Sequence, residues 1–169
     1  PADTMPTSVT AGGNTYICNV DGTFYQEHNW INATCFSPKH CSQCEITEGE
    51  ASSHNYENGV CTYCGKDVNG VFHIETANQL VAFAQYVELG NKDANAVLDA
   101  DIDMDGVAWT PICQTVSFHD TATADTGYSG TFDGNGYTVS NLNVKGISGD
   151  TYSYGLFGMV SGTIKNLGM

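Results

Sequence analysis

A chain of 169 residues has room for one ordinary domain or for two small ones. Its five cationic residues are all lysine and face 19 Asp plus Glu, a net charge of −14; without a basic stripe, nucleic acid and anionic membrane surfaces are excluded as partners. With 41% hydrophobic residues, 14% charged residues and 19 glycines, the chain can build a core, and it favours short strands and tight turns over helices laced with ion pairs.

In chain order, residues 1–13 read as a flexible leader. The acidic, Thr/Asn/Gly-rich and arginine-free composition points to an exported mature protein, and no apolar run is long enough to span a membrane. A Cys/His-rich part follows over residues 14–70. It holds six of the seven cysteines, and a turn signal at Asp67-Val68-Asn69-Gly70 closes it.

That part contains a duplication. Cys18, His28 and Cys35 reappear as Cys44, His54 and Cys61, each pair separated by 26 positions, with His28-Asn29-Trp30 matched by His54-Asn55-Tyr56. Cys41-Ser42-Gln43-Cys44 and Cys61-Thr62-Tyr63-Cys64 are two Cys-x-x-Cys knuckles at zinc-ribbon spacing, a turn that aims two thiolates at one ion. The candidate ligands are therefore Cys18, His28, Cys35, Cys41, Cys44, His54, Cys61 and Cys64, enough for one or two structural Zn2+ ions.

One partition sets Cys35, Cys41, Cys44 and His54 against Cys18, His28, Cys61 and Cys64; a four-cysteine ribbon with two bystander histidines is the simpler alternative. A disulfide framework also suits six cysteines in an exported chain, but it leaves the phased histidines unexplained. A redox role for the knuckles lacks the βαβ setting it needs. His40, His73 and His119 are isolated and read as structural or surface residues, Cys113 as a buried thiol, and Asn32-Ala33-Thr34 as a glycosylation sequon.

Residues 71–169 change texture. Thr76 with Gln79 forms a capping box ahead of a helix over 76–89, with Leu80, Phe83, Ala84 and Val87 on one face, Gln79, Gln85 and Glu88 away from it, and Gly90-Asn91 ending it. Strands follow. Thr138-Val139-Ser140-Asn141-Leu142 returns as Thr163-Ile164-Lys165-Asn166-Leu167 after 25 positions, with glycine turns between, and Ala96–Ile102 supplies an earlier rung. Such a repeat predicts stacked coils, an asparagine side-chain ladder, and a helix that covers the first coil. The expected fold is mainly β: a short right-handed parallel β-helix, or solenoid, with a capping α-helix, preceded by a small zinc-ribbon-like, loop-rich domain.

The ordered string Leu80–Ala84, Ala100–Met104, Trp109–Ile112, Gly130–Leu142 and Gly155-Leu156-Phe157-Gly158 resembles the GLUG-motif proteins of bacterial surfaces, over about residues 74–169. The resemblance implies right-handed parallel β-helix rungs and an adhesin-like, secreted or cell-surface setting; it carries over no catalytic residue. The preceding part is similar, more loosely, to Cys/His repeats of gut-bacterial surface proteins.

Chemistry is sparse. Asp101-Ile102-Asp103-Met104-Asp105-Gly106 opens like a calcium loop, but Ile112 stands where an EF-hand needs Glu, so the segment reads as a strand with a solvated acidic face. Asp133 is the candidate for glycan cleavage, yet it sits in a turn motif that already accounts for it. The expectation is a non-enzymatic extracellular or cell-surface module that binds a glycan or protein. The alternatives are self-association into a filament through a solenoid end or, less favoured, a fragment of a polysaccharide-active enzyme.

Overall fold

Short strands joined by turns, with a single helix among the described residues, make up the structure, a computed structural model that describes residues 8–11, 14–18, 24–26, 30–41, 46–114, 127–144 and 155–169. The chain divides into two units, Pro1–Ser52 and Ser53–Met169.

In the first unit β1 (Ser8–Ala11) pairs antiparallel with β2 (Asn14–Cys18), which pairs with β3 (Phe24–Gln26). Residues 8–11 are thus a strand rather than part of a flexible leader. Only Gly12-Gly13 separates β1 from β2, a two-residue sequence suited to a hairpin connection. A second antiparallel sheet joins β4 (Trp30–Ile31), β5 (Lys39–Cys41) and β6 (Thr47–Glu48). Lys39 crosses it, pairing with Glu48 at 2.6 Å and lying 4.6 Å from the Trp30 ring centre.

The second unit opens with a hairpin of β7 (Tyr56–Glu57) and β8 (Val60–Cys61). Its two linking residues, Asn58 and Gly59, both take positive φ (51° and 84°), the conformation an Asn-Gly turn is suited to. Residues 53–70, expected to belong with the Cys/His-rich part, lie in this unit because backbone bridges Val60–Asp67 and Lys66–Phe72 tie them to β9 (Phe72–Ile74).

The helix α1 (Ala77–Glu88) follows β9. The Thr76 hydroxyl accepts from the Gln79 N–H, while Gln79 Oε1 accepts from the Glu75 N–H at 2.8 Å, so the capping box closes one residue earlier than drawn from sequence. Gly90, at φ 102°, ends the helix, and Asn91 Nδ2 donates to the Tyr86 carbonyl. Leu80, Phe83 and Val87 are buried as expected. Ala82 is buried and Ala84 only partly so, and Gln79, expected on the solvent side, is 8% exposed.

The remaining strands are β10 (Ala96–Leu98), β11 (Ile102–Asp103), β12 (Ala108–Trp109), β13 (Thr131–Asp133), β14 (Val139–Ser140), β15 (Asn143–Val144) and β16 (Thr163–Lys165). They form three parallel sheets: β16-β13-β10-β9, β11-β14 and β12-β15. β10, β11 and β12 enter these sheets in turn, and β13, β14 and β15 return to the same three in the same order. In the largest sheet Phe72, Ala96, Phe132 and Ile164 form one column and His73, Val97, Asp133 and Lys165 the other. Pleating turns the first column inward. Phe83 of α1 packs on that column, its ring 5.2 Å from Phe72, 5.7 Å from Phe132 and 6.0 Å from Tyr128. Tyr128 is buried, and burial pushes its phenol up.

The 25-residue repeat does not set the stacking. Thr163 pairs with Thr131, and Thr138 bridges to Gly168, so the two Thr-x-x-Asn-Leu copies occupy different places in the sheets. Glycine appears where neighbouring backbones press together. A Cβ on Gly130 would strike the Ala94 carbonyl, and one on Gly162 the Gly130 carbonyl.

No asparagine ladder joins the repeated Asn141 and Asn166. Each takes positive φ and donates its amide to an aspartate of a neighbouring strand: Asn141 to Asp103 at 2.9 Å and Asn166 to Asp133 at 3.0 Å. Each aspartate also accepts the N–H two residues on, Asp105 or Asn135, to close its own turn. A carboxylate paired with an amide donor satisfies charge as well as hydrogen bonding, which two stacked amides do not.

The Asn166 amide, the Asn135 N–H and the Lys165 ammonium (3.0 Å away) hold the Asp133 carboxyl down to about 2, against an ordinary value near 3.8. A depressed acid stabilises the fold above its unfolded value and loses that contribution as pH falls through the folded one. The melting temperature is therefore expected to drop between about pH 4 and about pH 2, and to drop less in Asp133→Asn, which keeps the turn acceptor and removes the charge. Parallel acid titrations of the two proteins by circular dichroism check this; identical curves would refute it. No described helix is long and apolar enough to cross a membrane.

Candidate metal centre

Three of the eight predicted ligands converge within the second unit. The Sγ atoms of Cys61 and Cys64 and a ring nitrogen of His54 all lie within 4.8 Å of one another. Two ligands held 2.0–2.3 Å from a common tetrahedral ion stand about 3.3–3.8 Å apart. Cys64 Sγ and His54 Nδ1, at 3.4 Å, already have that spacing.

Local structure delivers each donor. The Asn58-Gly59 turn brings β8 back along β7, placing Cys61 opposite Tyr56, two residues from His54, whose ring lies 5.5 Å from that of Tyr56. The knuckle after β8 is closed by the Gly65 N–H to the Cys61 carbonyl (2.9 Å) and the Cys61 N–H to the Lys66 carbonyl (3.0 Å). Gly65 takes φ 78°, and any side chain there would collide with the His73 carbonyl. Cys35 follows Thr34, whose hydroxyl accepts from the N–H groups of Phe36 and Ser37. The Thr34 carbonyl accepts from Ser52 at 2.8 Å, which fastens the turn beside Cys35 within the first unit.

Electrostatics favour ligation. Burial opposes ionisation of Cys61, but the Cys64 N–H, the His54 imidazole, the Tyr63 N–H and the Cys64 thiol outweigh it and hold the Cys61 thiol down to about 6. The thiolate, the form that binds metal, therefore prevails at neutral pH. Cys61 and Cys64 are fully buried, and no disulfide joins Cys35, Cys41, Cys61, Cys64 and Cys113 to one another. Two thiolates and an imidazole in a tight group suit a tetrahedral, borderline-soft cation that takes a further ligand.

Of the expected ligands, His54, Cys61 and Cys64 stand together in the second unit, whereas the partition drawn from sequence set His54 apart from Cys61 and Cys64. The reason is turn geometry: a two-residue hairpin keeps His54 with the knuckle that follows it, whereas a repeat period alone cannot say which copies meet. Cys41 is buried in β5, opposite Trp30, and stands outside the group. The side chain of Cys18, together with His28, Cys44 and His119, falls outside the described residues.

Other candidates resolve into structural roles. Ile102 and Met104 are buried while Asp101, Asp103 and Asp105 are exposed, the alternation expected of an acidic strand face. The Asp133 carboxylate is occupied by Asn135, Asn166 and Lys165. Cys113 is buried, as expected, and its N–H donates to Glu88. His40 Nδ1 lies 3.1 Å from the Pro38 carbonyl. His73, read as isolated, instead has Nδ1 2.7 Å from Asp99 and lines a cleft of about 360 Å³ with Glu57, Asn58, Glu75 and Gln79. These residues lie far apart in the sequence, and only the Asn-Gly hairpin signal hints at their meeting.

Compared with family models, with curated proteins and with solved structures, the chain matches none.

Proposed function

We propose that the chain is a non-enzymatic extracellular or cell-surface module stapled by structural zinc, its three parallel sheets being the faces of a short, right-handed β-solenoid. The observation that carries the zinc reading is the convergence of His54, Cys61 and Cys64. Metal suits a chain whose strands run only two to five residues, because ligation supplies stability that such small packed surfaces lack. Return of successive strands to the same three sheets in the same order supports the solenoid, and the string of GLUG-type motifs supports a surface setting for it. The acidic, arginine-free surface and the structural employment of Asp133 support an adhesive or spacing role over glycan cleavage.

A native mass spectrum of the full chain, purified without chelator or reductant, tests the metal. At least one zinc per chain is expected, with the Cys61 and Cys64 thiols unoxidised. A second zinc would draw on the remaining candidates, Cys18, His28, Cys35, Cys41 and Cys44. A metal-free chain lighter by about two daltons for each cysteine pair would replace zinc with a disulfide framework.

A further inference from the structure

Asn-Gly occurs three times in the chain, at Asn58-Gly59, Asn69-Gly70 and Asn135-Gly136. Such a pair is chemically labile, because glycine has no side chain to keep its main-chain nitrogen away from the asparagine side-chain carbonyl carbon. By sequence the three pairs are equivalent. The fold separates them.

At Asn135-Gly136 both reacting groups are engaged. The Gly136 N–H donates to the Asn166 carbonyl at 2.8 Å, and Asn135 Nδ2 donates to the Leu98 carbonyl at 3.3 Å. At Asn69-Gly70 the Gly70 N–H donates to the Asp67 carbonyl at 3.2 Å, and Asn69 Nδ2 donates to the Asp67 carboxylate at 3.3 Å. Neither restraint is present at Asn58-Gly59. Among the described residues no acceptor takes the Gly59 N–H, and the Asn58 side chain is exposed and makes no hydrogen bond. Nothing crowds the turn either: a Cβ on Gly59 would meet no atom within 4 Å.

From these contrasts we infer that Asn58 is a site of spontaneous deamidation, the one Asn-Gly pair of three that the fold leaves able to react. The Gly59 nitrogen attacks Asn58 Cγ, and the side-chain nitrogen leaves as ammonia with the Gly59 amide proton, closing a five-membered succinimide. Water then opens the ring at Cγ to give aspartate, or at the main-chain carbonyl carbon to give isoaspartate. Isoaspartate lengthens the main chain by one methylene. A two-residue hairpin loop cannot absorb an extra backbone atom and keep its turn. The pairing of Glu57 with Val60 and of Tyr56 with Cys61 is then lost, along with the bond from the Val68 N–H to the Gly59 carbonyl at 3.1 Å. This hairpin sets His54 beside Cys61, so the modification acts on the candidate metal centre from outside it. The reaction consumes only water and needs no metal, so this inference and the zinc reading can fail separately.

The full chain as purified is incubated in warm, mildly alkaline buffer, digested, and each asparagine is followed by fragment mass for a gain of about one dalton. Asn58 is expected to gain it at least tenfold faster than Asn69 or Asn135. In urea, where only the local sequence acts, the three rates should converge to within about threefold. The isoaspartyl chain, separated from the unaged one by ion exchange, should exchange its Val68 amide hydrogen at least tenfold faster. The proposal is overturned if Asn69 or Asn135 reacts as fast as Asn58 in the folded chain, or if Asn58 reacts only in urea. It is equally overturned if urea leaves the ratio of rates unchanged, or if the isoaspartyl chain keeps the unaged exchange rate at Val68.

Discussion

Cys64→Ser is expected to lower the affinity of the chain for zinc at the proposed His54-Cys61-Cys64 centre about a thousandfold, on the order of 4 kcal/mol. Cys64 is fully buried and supplies one of the donors, and a hydroxyl neither ionises at neutral pH nor matches thiolate softness. Structural zinc in small domains contributes on the order of 10–16 kcal/mol, so loss of one ligand removes a fraction large enough to melt the knuckle. The knuckle holds β9 through the Gly65 carbonyl and the His73 N–H, at 2.8 Å, so the damage should reach the edge of the four-stranded sheet. Competition with a chromophoric chelator reads the affinity. Cys41→Ser is the informative partner: Cys41 stands outside the group, and its replacement should leave this site's affinity unchanged. If Cys41→Ser abolished that affinity and Cys64→Ser did not, the ligand set would be wrong.

Phe83→Ala should cost about 3–5 kcal/mol of folding free energy, the range for removing a large buried aromatic. Phe83 is fully buried and joins three parts of the core: Phe72 of β9, Phe132 of β13 and Tyr128. Filling the gap would require all three to move, and they are pinned by backbone pairing. A domain is commonly stable by only about 5–15 kcal/mol, so the loss removes a large share of what holds the second unit together. Urea unfolding of the zinc-loaded protein measures it, with a lower midpoint and an unchanged slope as the expected signature. Leu89→Ala, at a site 60% exposed, should change stability by no more than about 0.5 kcal/mol and serves as the control.

Residue types and short spacings determined a good deal. The Thr76 cap and the Leu80, Phe83, Val87 stripe placed the helix, because capping and 3.6-residue periodicity act over a single turn. Buried Ile102 and Met104 alternating with exposed aspartates followed from the two-residue period of a strand. His54, Cys61 and Cys64 were legible as metal-ligand types because few other roles phase cysteine with histidine.

Tertiary structure alone decided which of them meet. The 26-residue repeat is symmetric, so it could not reveal that the Asn58-Gly59 hairpin keeps His54 with Cys61 and Cys64. The 25-residue repeat likewise concealed the stacking register. That register is set by side-chain burial and backbone pairing along the sheet, and it places Asn141 and Asn166 over aspartates rather than over each other. The cleft of Glu57, His73, Glu75, Gln79 and Asp99 left only the Asn58-Gly59 turn as a trace in the sequence. Local rules fix what a residue prefers to do over a few positions, whereas a site assembled across strands depends on long-range pairing that no short spacing encodes.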